Sequence, residues 1–357
     1  MTSVANETSP QVRHEETNAA LNTPGPQVVA LGGGHGLYGS LSALRRVTDR
    51  LTAVVTVADD GGSSGRLRRE LGVLPPGDLR MALAALCGDD EWGQTWRDVV
   101  QHRFRSQGEL HDHAVGNLLI VALWELLGGV QPGVDQTGGI PLVGGPAVGG
   151  STVAGLDWVG RLLGAHGRVL PMASVPMDIV AEVRGADPDR PDEVTKVKGQ
   201  VACAKTPGTV LSVSLVPSDP PACPEALEAV LDADFVVFGP GSWFTSVLPH
   251  LKVPELARAL TDTRAQRIVA LNLVPQPGET DDFSQQTHLE VLQAHAPELR
   301  IDVVLADRAA VDDPAALEKA VDALGGELVL ADVAAPDGSP RHDPALLAQA
   351  FARIFAD

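Results

Sequence analysis

The sequence predicts an α/β fold: a Rossmann-like three-layer domain on a mostly parallel sheet, with a helical insertion and a small antiparallel β unit. Three observations predict it. Short apolar runs at Val28–Leu31, Val54–Ala58, Phe235–Phe238 and Ile268–Leu271 lead into glycines or polar residues, as buried parallel strands do. Runs of helical spacing separate them, which gives β-loop-α-β crossovers of one hand. The polar groups collect just after the strands, where open α/β sheets bind ligands.

Residues 1–26 carry Asn, Glu, Thr, Gln and Pro and no apolar stretch, so a disordered tail is expected there rather than a signal peptide. Val28–Leu31 is the first strand. Leu41–Leu51 has helical spacing and returns the chain to a second strand at Val54–Val57. Leu79, Leu83 and Leu86, then the apolar run Leu118–Leu127, mark residues 79–128 as a helical insertion. Residues 131–153 are rich in Gly and Pro without periodicity, and a flexible insertion is expected.

Three runs, Ile179–Val183, Val194–Val201 and Val210–Val216, alternate like strands. The turn signals Asp187-Pro188 and Pro207-Gly208 lie between them, so residues 177–217 predict the antiparallel unit. The α/β order then resumes. A helix near Pro224–Leu231 precedes Phe235–Phe238, and a helix near Pro254–Thr261 precedes Ile268–Leu271. A helix near Ser284–His295 precedes a strand at Ile301–Leu305. One domain over 27–330 is expected, followed by a C-terminal segment at 331–357.

Composition narrows the function. A chain of 357 residues with 44% apolar and 20% charged residues is long enough for a sizeable core. A formal charge of −19 without a basic stripe argues against a nucleic-acid surface. Cys87, Cys203 and Cys223 form no C-x-x-C pair, so neither a disulfide framework nor a zinc site is expected. That usage fits a reducing cytoplasm. No run of about 18 apolar residues is present to span a membrane.

The candidate site is a set of strand-end loops. Gly34, Gly36 and Gly39 satisfy G-x-G-x-x-G, and Asp59 ends the next strand, as in a dinucleotide fingerprint. Gly33, Gly34 and Gly36 would let backbone approach a phosphate; the alternative is a tight turn with no ligand. Asp59 and Asp60 suit Mg²⁺, a ribose or sugar hydroxyl, or a helix cap. Ser63, Ser64 and Arg66 would add hydroxyls and a guanidinium at a helix start; a solvated helix face is the alternative for Arg66. Gly239-Pro240-Gly241-Ser242, with Thr245-Ser246 beyond, is a second anion-binding candidate or a plain turn and N-cap. Asn272 follows the next strand, and His111 with His113 offers a metal pair or two structural histidines.

These residues resemble a family. VTVADDGGSSGRLR from Val55, PPGDLR from Pro75, His113 with Gly116-Asn117-Leu118, GRVLP from Gly167, GPGSWFTS from Gly239 and QPGET from Gln276 fall in the order of the YvcK-like gluconeogenesis-factor family. The resemblance covers roughly residues 27–310. The family is similar in fold to the 2-phospho-L-lactate transferases, which move a phospholactyl group from a nucleotide-activated donor. The resemblance implies a cytoplasmic protein that binds a nucleotide sugar such as UDP-N-acetylglucosamine. It implies a role in gluconeogenic growth, cell shape and cell-wall precursor supply, and no established catalysis. It adds Asp78, Arg80 and Asn117 to Gly33, Gly34, Gly36, Asp59, Asp60, Ser63, Ser64, Arg66, Gly239, Gly241, Ser242 and Asn272 at the ligand rim. The chain departs from the family pattern at His35, Met81, Trp243-Phe244 and Val274-Pro275.

The leading expectation is therefore a nucleotide-sugar-binding regulator acting on an unidentified protein partner, with Mg²⁺ as a candidate cofactor on Asp59 and Asp60. A Mg²⁺-dependent transferase of the phospholactate type is the alternative. An NAD(P)-binding oxidoreductase is the third, although no His/Lys/Tyr constellation accompanies the single tyrosine, Tyr38. Homo-oligomerisation is left open.

Overall fold

A computed structural model describes residues 25–128, 148–276, 278–281 and 283–356. The expected tail therefore lies outside the described residues up to position 24, and the expected flexible insertion up to position 147.

The chain opens with β1 (Val28–Gly32), α1 (Gly34–Leu44) and β2 (Leu51–Val55). Five helices follow: α2 (Gly62–Leu71), α3 (Gly77–Ala85), α4 (Glu91–Gln101), α5 (Val115–Leu126) and α6 (Val148–Leu163). After β3 (Arg168–Pro171) come β4 (Asp178–Arg184), β5 (Val194–Lys198), α7 (Gln200–Cys203) and β6 (Thr209–Val216). Next are α8 (Pro224–Leu231), β7 (Phe235–Phe238), a π turn at Trp243–Val247 and a 3₁₀ turn at Leu248–Lys252. The chain closes with α9 (Pro254–Asp262), β8 (Gln266–Ala270), α10 (Gln285–His295), β9 (Val303–Asp307), α11 (Pro314–Leu324), β10 (Glu327–Ala331) and α12 (Pro344–Ile354).

Among the described residues, seven strands form one sheet in the order β10-β9-β8-β7-β1-β2-β3. Every pairing in it is parallel. All five residues of β1 are buried. Successive side chains point to opposite faces, so both faces must be covered. On one side α1 packs against α3 and α12; elsewhere α8 packs on α9 and α10 on α11. The sheet grows outward in both directions from β1. The crevice between β1 and β7 is its topological switch point, where such sheets take ligands. A separate antiparallel sheet, β5-β4-β6, is the expected β unit.

Local sequence explains the boundaries. Pro begins α8, α9, α11 and α12, where its missing N–H and fixed φ suit a first turn. Asp90 caps α4 by accepting from the Gly93 N–H at 2.8 Å, a contact of the kind that contributes about 1 kcal/mol. Gly72 ends α2 in the left-handed region at φ 67°.

The structure corrects several expectations. The first helix begins at Gly34, not Leu41, because the glycine run is itself helical; β2 then begins at Leu51. The second run of the β unit is cut at Lys198, since Gln200–Cys203 turns into α7. Residues 148–153 belong to α6, whose Val153, Leu156, Val159 and Leu163 are buried at helical spacing. The edge strand β3, inside the GRVLP motif, is not among the expected strands; its parallel pairing with β2 makes it one. Residues 344–356 of the C-terminal segment pack on the core: Phe351 is fully buried, and Phe355 stacks on Phe235 of β7 with centroids 4.2 Å apart. An aromatic pair of this kind adds about 1 kcal/mol beyond the area it buries.

Candidate functional site in the β1/β7 crevice

Two glycine turns meet at the switch point. Gly33 precedes α1 in extended conformation, and a β-carbon there would lie 2.6 Å from Asp78 Oδ2 and 2.9 Å from Thr56 Cγ2. A β-carbon on Gly36 would lie 2.2 Å from the Pro240 carbonyl oxygen. Only glycine permits either approach. Gly34 takes a φ of 55°, the left-handed region. Ser40 Oγ donates to the Gly239 carbonyl at 2.7 Å and ties α1 to the second turn. Asn272 embraces Gly241, accepting from its N–H at 2.8 Å and donating to its carbonyl at 2.9 Å. Asn272 thus shapes the second turn with the amide that sequence reasoning offered to a ligand.

On the β2 side the crevice is acidic and then basic. Asp59 Oδ1 accepts from the Gly61 N–H at 2.9 Å. Ser64 Oγ accepts from the Gly77 N–H at 2.6 Å, and its hydroxyl donates to Asp59. Burial raises the Asp59 carboxyl above its ordinary range, against the pull of these hydrogen bonds. Asp78 begins α3 and is pushed up to about 7, first by burial and then by the Asp59 charge; the Gly34 N–H and Arg80 oppose the rise. Asp78 Oδ2 and Thr56 Oγ1 are buried without a hydrogen-bond partner. Both residues abut Gly33. Buried polar atoms are normally hydrogen-bonded, so two such atoms flanking one glycine mark a place where a water, an ion or a ligand group is engaged.

A hydrogen-bonded relay lies alongside. The buried Arg80 donates from Nε to Asn117 Oδ1 at 2.9 Å, and Asn117 Nδ2 donates to Ser63 Oγ at 3.0 Å. Ser63 Oγ also accepts from the Ala114 N–H at 3.3 Å. Its own proton therefore goes to His113 Nδ1, 3.0 Å away, which leaves the His113 proton on Nε2. Burial first, and Arg66 second, push His113 below its ordinary value. Arg80 falls to about 10 through burial, with Arg103 as the next cause. Arg103 is held at the rim by Asp112, with Nη1 2.8 Å from its carbonyl and 3.5 Å from its carboxylate, so the buried Arg80 is the cation the site itself offers an anion. Sequence reasoning missed Arg103: it precedes α5 in an irregular stretch, and only its bridge to Ala114 carries it to the site. Arg66 donates to the backbone carbonyls of Glu109 at 3.3 Å and His111 at 2.7 Å, so it anchors the 104–113 stretch.

Two site expectations are overturned. Asp60 does not pair with Asp59: its Oδ1 accepts from the Val201 N–H at 3.0 Å, and its Oδ2 lies beside Gly199. Adjacent residues of extended backbone point to opposite sides, so Asp60 fastens the β unit while Asp59 faces the crevice. Nor is the Gly239–Ser242 turn open to an anion. Glu279 accepts from Ser242 Oγ at 2.6 Å, from Thr245 Oγ1 at 3.2 Å and from the N–H groups of Trp243 and Phe244. Burial raises Glu279, and those bonds draw it back. The chain supplies its own carboxylate to that turn.

The donor set suits a hard cation modestly. Among the described residues no three His, Cys, Asp or Glu side chains cluster, which excludes His111 and His113 as part of such a centre. Asp59 and Asp78 remain as a carboxylate pair, and Asp78 Oδ2 is the orphaned oxygen a cation would engage. A pair suits Mg²⁺, which keeps most of its waters.

On the β8 side of the glycine turns lies a cavity of about 490 Å³. His35 and Tyr38 of α1, Asn272 and Gln276 after β8, and Arg341 and His342 before α12 line it.

A family profile described as "2-phospho-L-lactate transferase CofD" matches residues 28–335. The chain is 50% identical over 332 residues to a Mycobacterium tuberculosis (strain H37Rv) protein named "Putative gluconeogenesis factor", covering 92% of this chain and 90% of that one. It is 33% identical over 328 residues to the gluconeogenesis factor of Listeria innocua, covering 89% and 92%. The crystal structure of a UPF0052 family member from Bacillus halodurans superposes with a TM-score of 0.75 at 29% identity, covering 94% of this chain and all of that one. No helix among the described residues is long and apolar enough to cross a membrane.

Proposed function

The chain belongs to the CofD family, together with the gluconeogenesis factors, and on that premise we propose that its β1/β7 crevice binds a nucleotide-linked small molecule of the UDP-N-acetylglucosamine type. The observation that carries this reading is the orphaned Asp78 Oδ2. It stands beside the Gly33 close approach on a site where Arg80 and Asn117 are already positioned. The backbone of Gly33–Gly36 would face the diphosphate. Arg80 would balance part of its charge. Asp59 and Asp78 would hold Mg²⁺ or accept from sugar hydroxyls, and a bound Mg²⁺ would neutralise part of the phosphate charge.

The protein would act as a regulator: occupancy of the crevice would bias a surface read by a protein partner, linking precursor supply to gluconeogenic growth and cell shape. Calorimetric titration of the full chain with UDP-N-acetylglucosamine, with and without Mg²⁺, tests the binding step. GDP and NADP serve as comparators. Sugar-dependent binding supports the reading, and no binding by any of the three removes it. Restored growth on a gluconeogenic carbon source, in a strain lacking its own gluconeogenesis factor, tests the output.

A second reading is favoured by one observation, the activity named in the matching family profile. In it the acceptor hydroxyl oxygen bonds to the phosphorus bearing the lactate, the phosphorus–oxygen bond to the nucleoside monophosphate breaks, and the hydroxyl proton is released. The same residues would serve by positioning and charge stabilisation. Preference for GDP strengthened by Mg²⁺, with product seen by mass spectrometry from a nucleotide-activated phospholactate and a deazaflavin acceptor, would put this reading first.

A further inference from the structure

We propose that Arg45, Arg46 and Arg97 form a second anion site, at the edge of the sheet opposite the crevice, which takes a phosphate dianion, free or as a monoester, in place of the Asp89 carboxylate. The proposal uses none of the crevice residues and does not rest on the nucleotide reading. The first argument is charge. Arg45 Nη2 lies 2.6 Å from Asp89 Oδ1, Arg97 Nη2 lies 3.4 Å from the same oxygen, and Arg46 Nη2 lies 3.5 Å from Oδ2. Three guanidinium groups thus meet one carboxylate, on a chain whose formal charge is −19. Asp90, next in sequence, is turned to the Gly93 N–H. A dianion matches three guanidinium groups better than a single carboxylate does.

The second argument is the unfilled donors. Arg97 Nη2 also reaches the carbonyls of Cys87 at 3.1 Å and Gly88 at 2.8 Å, and Arg46 Nε donates to the Ser42 carbonyl at 3.2 Å. Arginines commonly serve carbonyls at helix ends in this way. Arg45 differs. Its side chain is 9% exposed, its Nη2 goes to Asp89, and its Nε is buried without a partner. Arg97 Nε is buried and unpartnered as well. Nε and Nη2 are two prongs with which a guanidinium grips an oxyanion. In both arginines one prong touches Asp89 and the other is empty. A phosphate brings more oxygens than a carboxylate has, enough to occupy both forks.

The third argument is that Asp89 is replaceable. Its side chain is 55% exposed, whereas its backbone carbonyl is held by Gln94 Nε2 at 2.6 Å. The carboxylate can turn into solvent while the backbone stays in place, and ion pairs this exposed contribute little. The Arg45 hydrogen bond holds the Asp89 carboxyl below its ordinary range, so the resident group is an anion that competes for the cluster.

The location gives the site its interest. Arg45 is the C-cap of α1, which begins at the crevice with Gly34. Cys87 and Gly88 lie just past α3, which begins with Gly77 and Asp78. The cluster therefore joins the far ends of two helices that pack together and whose first residues shape the crevice, about 16 Å away along α1.

The test is calorimetry of the full chain with inorganic phosphate and with glycerol 3-phosphate, at constant ionic strength. Wild type is compared with Asp89→Ala, Asp98→Ala and the double variant Asp89→Ala/Arg45→Gln. Asp89→Ala is expected to raise phosphate affinity about tenfold, because a competing charged contact is gone. The double variant should lose that gain. Asp98 is an exposed carboxylate of α4 outside the cluster, so Asp98→Ala should change affinity by less than about twofold. If melting shows that Arg45→Gln does not fold, Arg46→Gln, at a side chain 45% exposed, takes its place in the double variant. Equal or undetectable binding in wild type and Asp89→Ala would overturn the proposal. A gain in Asp98→Ala as large as that in Asp89→Ala would also overturn it, as a general effect of charge. Tighter binding of glycerol 3-phosphate than of phosphate would identify a monoester as the ligand; the reverse would identify free phosphate. Phosphate held in the crevice is common to all the variants, so the nucleotide reading stands or falls separately.

Discussion

Gly36 and Gly241 are in backbone contact: a β-carbon on Gly36 would stand 2.4 Å from the Gly241 Cα. The turn after β1 and the turn after β7 therefore form one surface, though about two hundred residues separate them. Gly36→Ala should force the turns apart. Overpacking of this kind costs about 1–3 kcal/mol, which denaturant unfolding would register. Ligand affinity should fall together with stability, because the displaced backbone is the crevice floor.

Asp78 makes the site expensive at neutral pH. Its carboxyl is raised from 3.8 to about 7, so the folded state holds a proton that the unfolded chain releases. The stability it lends is complete below 3.8 and lost as pH rises through 7. Asp78→Asn should therefore be more stable than wild type at pH 8, on the order of 2–4 kcal/mol at about 1.4 kcal/mol per pKa unit. The gap should close toward pH 4. The same variant should lose Mg²⁺-dependent ligand affinity. Equal melting curves for the two proteins at pH 8 would refute the account.

The two adjacent aspartates should separate cleanly. Asp59→Asn is expected to lower affinity for UDP-N-acetylglucosamine about tenfold or more, as loss of a charged contact does. Asp60→Asn should leave affinity nearly unchanged. It should weaken the anchorage of the β unit through Val201, visible as faster hydrogen exchange at β5. The reverse ranking would return Asp60 to the site.

His250 sets the acid limb. It is fully buried, with Nε2 3.0 Å from the Val54 carbonyl, and burial lowers it from 6.5 to about 4. The unfolded chain takes up its proton first, so this stability is present above pH 6.5 and is lost as pH falls toward 4. His342 adds to the same window. Unfolding midpoints should drop between pH 7 and pH 5, and His250→Gln should flatten that slope.

Glu279 closes the second turn from within. Glu279→Ala strands four donors that now converge on one carboxylate, and should destabilise by about 2–3 kcal/mol. Glu279→Gln keeps an acceptor and should lose only about 1 kcal/mol. Neither should change the pyrophosphate affinity of the crevice more than about twofold; a large gain in Glu279→Ala would show that the turn receives phosphate once the carboxylate is gone.

Much of this was legible in the chain. The apolar runs that became β1, β7 and β8, the glycines at 33, 34 and 36, and the convergence of strand ends all follow from local sequence. Burial on both faces leaves an unbroken apolar run, and a close approach demands glycine. The residues of α11, β10 and α12 were not resolved into elements, because no motif interrupts their ordinary composition. Their packing nevertheless supplies the wall of the β8-side cavity.

The sequence by itself determined the fold class and the pool of polar residues at the strand ends; the strand order that makes β1/β7 the switch point came with the tertiary structure. Tertiary structure alone decided the partners of those residues. It turned Asp59 inward and Asp60 toward Val201, paired Asn272 with Gly241, seated Glu279 on Ser242 and brought Arg103 beside Arg80. A residue's type fixes which bonds it can make. Which atom it meets depends on side-chain direction and on segments far away in the chain, and those are set only when the sheet and its helices pack.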